Sequence, residues 1–86
     1  MSYSIIISPR ARRDLKSIPP NFIEEIDLKI KSLSTVQRPH RCEKIKGDDL
    51  FRVRDGDYRI VYHIDDKART ITVVHVGHRR EVYKNL

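Results

Sequence analysis

Eighty-six residues allow one domain with one core, because a chain this short buries only about 60% of the surface its unfolded form exposes. With 38% apolar residues in ordered patterns and only three glycines and four prolines, the chain reads as globular rather than disordered. Eighteen basic against twelve acidic residues leave a formal charge of +6, which calls for an acidic partner such as nucleic acid, an acidic protein segment or anionic membrane. Membrane drops out, since no uninterrupted apolar run exceeds Ile5-Ile6-Ile7, too short for a signal-peptide core or a spanning helix. The lone cysteine, Cys42, excludes an intrachain disulfide and fits a reducing compartment, so the expected location is the cytoplasm.

The chain opens on YSIII, a β-branched run that predicts a strand, closed by Ser8-Pro9. A serine N-cap followed by proline in the first turn starts a helix, and Ala11, Leu15 and Ile18 at i, i+4, i+7 carry it to Ile18. Pro19-Pro20 breaks it. A longer amphipathic helix follows through Phe22, Ile23, Ile26, Ile30 and Leu33, with Glu24, Glu25 and Asp27 early and Lys29 and Lys31 late. That charge order suits the helix dipole and predicts i,i+4 pairs such as Glu25 with Lys29, so these charges read as a solvated face.

Residues 34–49, STVQRPHRCEKIKGDD, form a polar, basic connector in which residues 43–46 are a candidate short entry strand, not counted in the order below. Three strand-like runs follow, LFRVR, YRIVYHI and TITVVHV, separated by Asp55-Gly56-Asp57 and by Asp65-Asp66-Lys67-Ala68-Arg69. The predicted order is β-α-α-β-β-β, an α+β domain over residues 1–86 with a helical hairpin on one face of antiparallel strands. GHRREVYKNL remains as a short C-terminal segment whose state propensity does not choose.

Asp-Gly between alternating runs signals a two-residue type I′ hairpin. With Asp55-Gly56 as the loop, Arg54 faces Asp57, Val53 faces Tyr58, Arg52 faces Arg59 and Phe51 faces Ile60. Phe51, Val53, Tyr58, Ile60 and Tyr62 then share the core side, and Arg52, Arg54, Arg59, Val61 and His63 the other. Like charges directly opposite destabilise a strand pair. Two readings of the arginine row stand: a solvated basic face, or an anion site in which guanidinium groups converge on phosphate through bidentate hydrogen bonds.

The residues KIKGDDLFRVRDGDYRIVY and VGHRREVY, with the YSIII strand and the helical hairpin, resemble a RelE-type toxin of the RelE/ParE superfamily over nearly the whole chain. The resemblance implies the toxin of a type II toxin–antitoxin system, a ribosome-dependent endoribonuclease that cuts messenger RNA in the decoding site and is neutralised by a cognate antitoxin. Carried over by position, the family's basic pair before the turn falls on Arg52 and Arg54, its arginine after the turn on Arg59, its arginine beyond the V-G step on Arg79, and its C-terminal tyrosine on Tyr83. Lysines occupy the first two positions in the best-studied RelE toxins, and the segment from Gly77 to Tyr83 is shorter here by two residues.

Chemistry of this type has a 2′-hydroxyl attack the adjacent phosphate and expel the 5′-oxygen, so pre-placed cations stabilise the charge that builds there. Arginine, protonated at all ordinary pH, makes a poor general base. Proton transfer is therefore expected at His78, at Tyr83 or at a ribosomal group, with Tyr83 also able to stack on a splayed base. His75, in step with Ile71 and Val73, reads as a hydrogen-bonded core histidine, while His63 shares the arginine face. Lys44 and Lys46 are candidate RNA contacts, and Arg10, Arg12 and Arg13 add diffuse attraction. No metal-ligand spacing is present, so the expected nuclease is metal-independent and needs no cofactor. Two alternatives remain: a ParE-like gyrase inhibitor, and a non-catalytic nucleic-acid-binding module. An acidic or amphipathic C-terminal segment of the antitoxin is the expected protein partner of the +6 surface, beside the ribosome and its mRNA.

Overall fold

A computed structural model describes residues 2–46 and 50–78. Strand β1 (Ser4–Ile7) leads into helix α1 (Pro9–Lys16), where Ser8 is the N-cap and its hydroxyl accepts from the Ala11 amide at 3.1 Å. The helix ends two residues before the expected Ile18, through Ser17, but Ile18 stays in the core at 8% exposure. Helix α2 (Pro20–Ser32) starts on the proline pair and buries Ile26 and Ile30, with Leu33 just beyond its end. Asp27 pairs with Lys31 at 2.9 Å on its solvated face, in place of the expected Glu25–Lys29 pair.

Four strands follow among the described residues: β2 (Glu43–Lys46), β3 (Leu50–Asp55), β4 (Tyr58–Asp65) and β5 (Thr70–His78). Each is antiparallel to its neighbour, and β1 joins β5 in parallel to give the order β1-β5-β4-β3-β2. The sheet is therefore mixed, a pairing that local pattern cannot reveal because Ser4 meets Thr70 across most of the chain. Phe51, Val53, Ile60, Tyr62, Ile64, Ile71, Val73 and Val76 pack against Ala11, Ile18, Ile26, Ile30 and Leu33, so the helical hairpin covers one sheet face.

The β3–β4 hairpin corrects the expected register. Its turn is Gly56-Asp57, with Asp55 opposite Tyr58, Arg54 opposite Arg59, Val53 opposite Ile60, Arg52 opposite Val61 and Phe51 opposite Tyr62. Gly56 alone takes a positive φ there, 61°, the pattern of a type II′ turn, which needs a left-handed residue only at the first central position. A type I′ loop on Asp55-Gly56 would have forced Asp55 into that region as well. Because the shift amounts to two residues in pairing, the expected division into core and arginine faces survives. Between Val61 and Tyr62 the β4–β5 ladder slips by one, leaving Val74 as an extra residue. Beyond that bulge Val76, not His75, continues the line of Ile71 and Val73 by facing Ile60.

The connector is tied down by three side chains. Tyr62 donates to the Gln37 carbonyl at 2.9 Å, and Arg38 donates to Asp66 at 2.9 Å while lying over the Phe51 ring. Asp66 also accepts from the Tyr3 hydroxyl at 2.7 Å. Hydrogen bonds from Arg38 and Tyr3 hold the Asp66 carboxyl below the usual carboxylate range, and the same bond raises Tyr3.

Candidate functional site

Strands β3 and β4 place Arg52, Arg54 and Arg59 in one row on the sheet face away from the helices, as the period of two requires. Arg54 and Arg59 stand directly opposite each other, and Gly77 of β5 flanks Arg59 on its other side without a side chain. Arg59 is only 8% exposed, and its Nη1 donates to the carbonyls of Tyr58 at 3.2 Å and Gly56 at 3.4 Å. Among the described residues no carboxylate pairs with it. Arg54 is exposed. A guanidinium withdrawn from water, uncompensated by a carboxylate and facing a second guanidinium, is an unfavourable arrangement for a structural sheet face. An incoming phosphate would relieve it.

Arg52 differs from its neighbours. It pairs with Glu43 of β2 at 2.6 Å, directly across the β2–β3 ladder. Glu43 is mostly exposed, whereas the Arg52 side chain is only 21% exposed.

The remaining candidates separate. His78 faces Tyr58 in register, and its ring meets the Tyr58 ring edge-on at 5.9 Å, while Tyr58 packs on Phe22 of α2 at 5.6 Å. That side of the sheet belongs to the helices, so His78 is not brought together with the arginine row. His63 is on the arginine side, opposite Leu50, but four positions from Arg59 along β4, about 13 Å for an extended chain. Lys44 is exposed and faces Phe51 in register, outside the arginine row. Arg79, Tyr83 and the side chain of Lys46 lie outside the described residues.

His75 is buried and hydrogen-bonded. Its Nδ1 lies 2.6 Å from the Asp14 carboxylate, which also accepts from the Val76 amide at 3.1 Å. Because β1 pairs only as far as Val73, Asp14 supplies the acceptor that the next stretch of β5 lacks along that edge. This partnership joins residues 61 apart, and nothing in the sequence pattern marks Asp14 for it. A hollow of about 420 Å³ beside the pair is lined by Arg10, Asp14, Tyr58, His75 and His78 and by none of Arg52, Arg54 and Arg59. Among the described residues no group of three or more His, Cys, Asp or Glu side chains could hold a metal ion, and no helix is long and apolar enough to cross a membrane.

The arrangement can grip an anion and stabilise charge developing on it. Comparison with known proteins gives it a context. The family of ParE toxins of the type II toxin–antitoxin system parDE matches residues 5–83. Toxin RelG of Mycobacterium tuberculosis is 34% identical over 88 aligned positions, spanning 98% of this chain and 99% of its own. This chain belongs to the RelE/ParE superfamily as a RelE-type toxin.

The fold agrees with that assignment. The toxin–antitoxin complex RelBE2 of M. tuberculosis contains a chain that superposes with a TM-score of 0.78 at 27% identity, over 94% of this chain and 95% of that one. The archaeal RelE–RelB complex of Pyrococcus horikoshii gives 0.79 at 25% identity, over 95% of this chain and 100% of that one. Both of those chains thus share the strand, helical hairpin and sheet that in this chain set up the arginine row.

Proposed function

We propose that this toxin is a ribosome-dependent, metal-independent endoribonuclease that cuts messenger RNA in the decoding site and so stops translation. The observation that carries the reading is Arg59, buried, without a carboxylate partner among the described residues and facing Arg54. Such a pair is preorganised for a phosphate whose charge rises in the transition state. In this reading the 2′-oxygen forms a bond to phosphorus as the bond to the 5′-oxygen breaks, and the departing 5′-oxygen takes a proton from water, leaving a cyclic phosphate and a 5′-hydroxyl. Arg52, Arg54, Arg59 and Arg79 hold the non-bridging oxygens. Tyr83 positions the nucleotide. With His78 against Tyr58, the proton of the attacking hydroxyl passes to Tyr83 or to a ribosomal group. Lys44 and Lys46 on β2 attract the RNA backbone outside the reacting phosphate.

A cognate antitoxin completes the proposal. The related M. tuberculosis structure is a toxin–antitoxin complex and the P. horikoshii one a RelE–RelB complex, and the +6 charge here suits an acidic or amphipathic C-terminal segment. The cytoplasm, where ribosomes are, is the expected compartment.

The deciding experiment maps mRNA ends on purified programmed ribosomes. Wild-type toxin is expected to cut in the decoding site, including in a metal-chelating wash followed by magnesium alone. Arg54→Ala, at an exposed position where folding is not at stake, and Arg59→Ala should each slow cutting about 100- to 1000-fold. Intact mRNA with the wild type would reject the reading. The match to the ParE family keeps gyrase as the second reading; it gains if expression blocks DNA replication while translation continues.

A further inference from the structure

The connector carries a second basic cluster. Lys29 of α2, His40 and Arg41 of the connector and Arg54 of β3 line one hollow of about 340 Å³, together with Val53 and Gly56. Among the described residues no carboxylate lines it, and none pairs with these four side chains. Lys29 also borders a neighbouring hollow with Glu25 and Asp55, so the weight of the cluster rests on His40, Arg41 and Arg54.

The backbone at Arg41 is the telling feature. The Cys42 amide donates to the Pro39 carbonyl at 3.0 Å, closing a four-residue turn, and Arg41 in its third position has a φ of 77°. His40 does not share that positive φ, so the turn has the type II pattern, whose third position is the usual place of glycine. An arginine there holds a backbone conformation that its Cβ disfavours. Such strain persists only where the surrounding structure imposes it, and it clusters at functional sites. The turn is also held rigidly, because Gln37 and Arg38 immediately before it are fixed to Tyr62, Asp66 and Phe51.

We propose that His40 and Arg41, with Lys29 and Arg54, form a second phosphate-binding site that grips the RNA backbone next to the cleavage site. Arg54 links the two: it lines this hollow and faces Arg59 across the hairpin. A strand whose scissile phosphate sits at Arg54 and Arg59 therefore has a neighbouring phosphate carried toward Arg41. This continuity favours a nucleic acid over an acidic protein segment. The inference rests on the RNA reading above and adds residues that reading does not use.

Its test is the salt dependence of binding by the full chain to a fluorescein-labelled 2′-O-methyl RNA oligonucleotide, which cannot be cleaved. Arg41→Gly removes the charge and suits the backbone, so its melting temperature should equal or exceed that of the wild type. Its log Kd against log salt slope should fall by about 0.7, equivalent to about fourfold weaker binding near 0.15 M salt if affinities converge at 1 M. Arg41→Lys should retain the wild-type slope. An unchanged slope in Arg41→Gly would overturn the inference, as would lower melting temperatures in both variants with no change in slope, which would make Arg41 structural. Weaker binding of an acidic antitoxin peptide with RNA affinity intact would assign the cluster to protein instead. Programmed-ribosome cleavage separates the two proposals: cutting with an unchanged slope rejects only the second site, and a lost slope without cutting rejects only the nuclease.

Discussion

Arg59 holds a charge where the fold alone would favour none. The residue is 8% exposed and its guanidinium donates to two backbone carbonyls, so among the described residues its hydration is replaced by neutral acceptors rather than by an opposite charge. Arg59→Met keeps the length of the stem and removes the charge. The expected result is a stability between unchanged and about 1 kcal/mol higher, read from urea midpoints, with cleavage lost. A loss beyond about 2 kcal/mol would mean that the carbonyl contacts are a structural necessity. At this scale the sequence told much about the arginine row, because alternation assigns each strand residue a face. It told less about histidines. His75 owes its environment to a bulge and to Asp14 on a distant helix, and His78 is one residue from Arg79 in sequence yet faces Tyr58.

Elements were readable where each carried its own punctuation. Ser8-Pro9 starts α1, Pro19-Pro20 separates the helices, and EKIK forms β2 at the expected residues. Pairing between elements was harder, since Asp-Gly and Gly-Asp both lie within Asp55-Gly56-Asp57 and each can close a two-residue loop. The phase was decided by which residues must be left-handed. Gly56→Ala is therefore expected to destabilise the domain by about 1 kcal/mol, whereas Asp57→Ala should change it by less than about 0.5 kcal/mol. An added Cβ at Gly56 meets no atom within 4 Å, so that cost is conformational and not a clash. Equal effects at both positions in urea unfolding would contradict the type II′ assignment. The turn matters for function because a slip by one position would replace the Arg54–Arg59 opposition with another pairing.

Over the whole molecule, the order of elements and the surplus of positive charge could be read directly, but the closure of the connector onto the sheet could not. Gln37 and Tyr62 are 25 residues apart, and their bond depends on where the chain returns after α2. Tyr62 makes that closure sensitive to pH. Its side chain is fully buried, and burial, reinforced by Cys42, pushes its phenol well above the ordinary value of 10. A raised acid group favours the neutral, protonated form in the folded state. Its contribution is therefore complete below about pH 10, the unfolded value, and is lost as pH rises toward the folded one. The slope from this single group is at most about 1.4 kcal/mol per pH unit. Stability measured by urea unfolding between pH 9 and pH 11 should decline above about pH 10 in the wild type and decline less in Tyr62→Phe. Tyr62→Phe should itself cost about 1 kcal/mol at neutral pH, through loss of the bond to Gln37. If the two proteins show the same alkaline slope, another tyrosine or lysine governs it, and the connector is held independently of the Tyr62 proton.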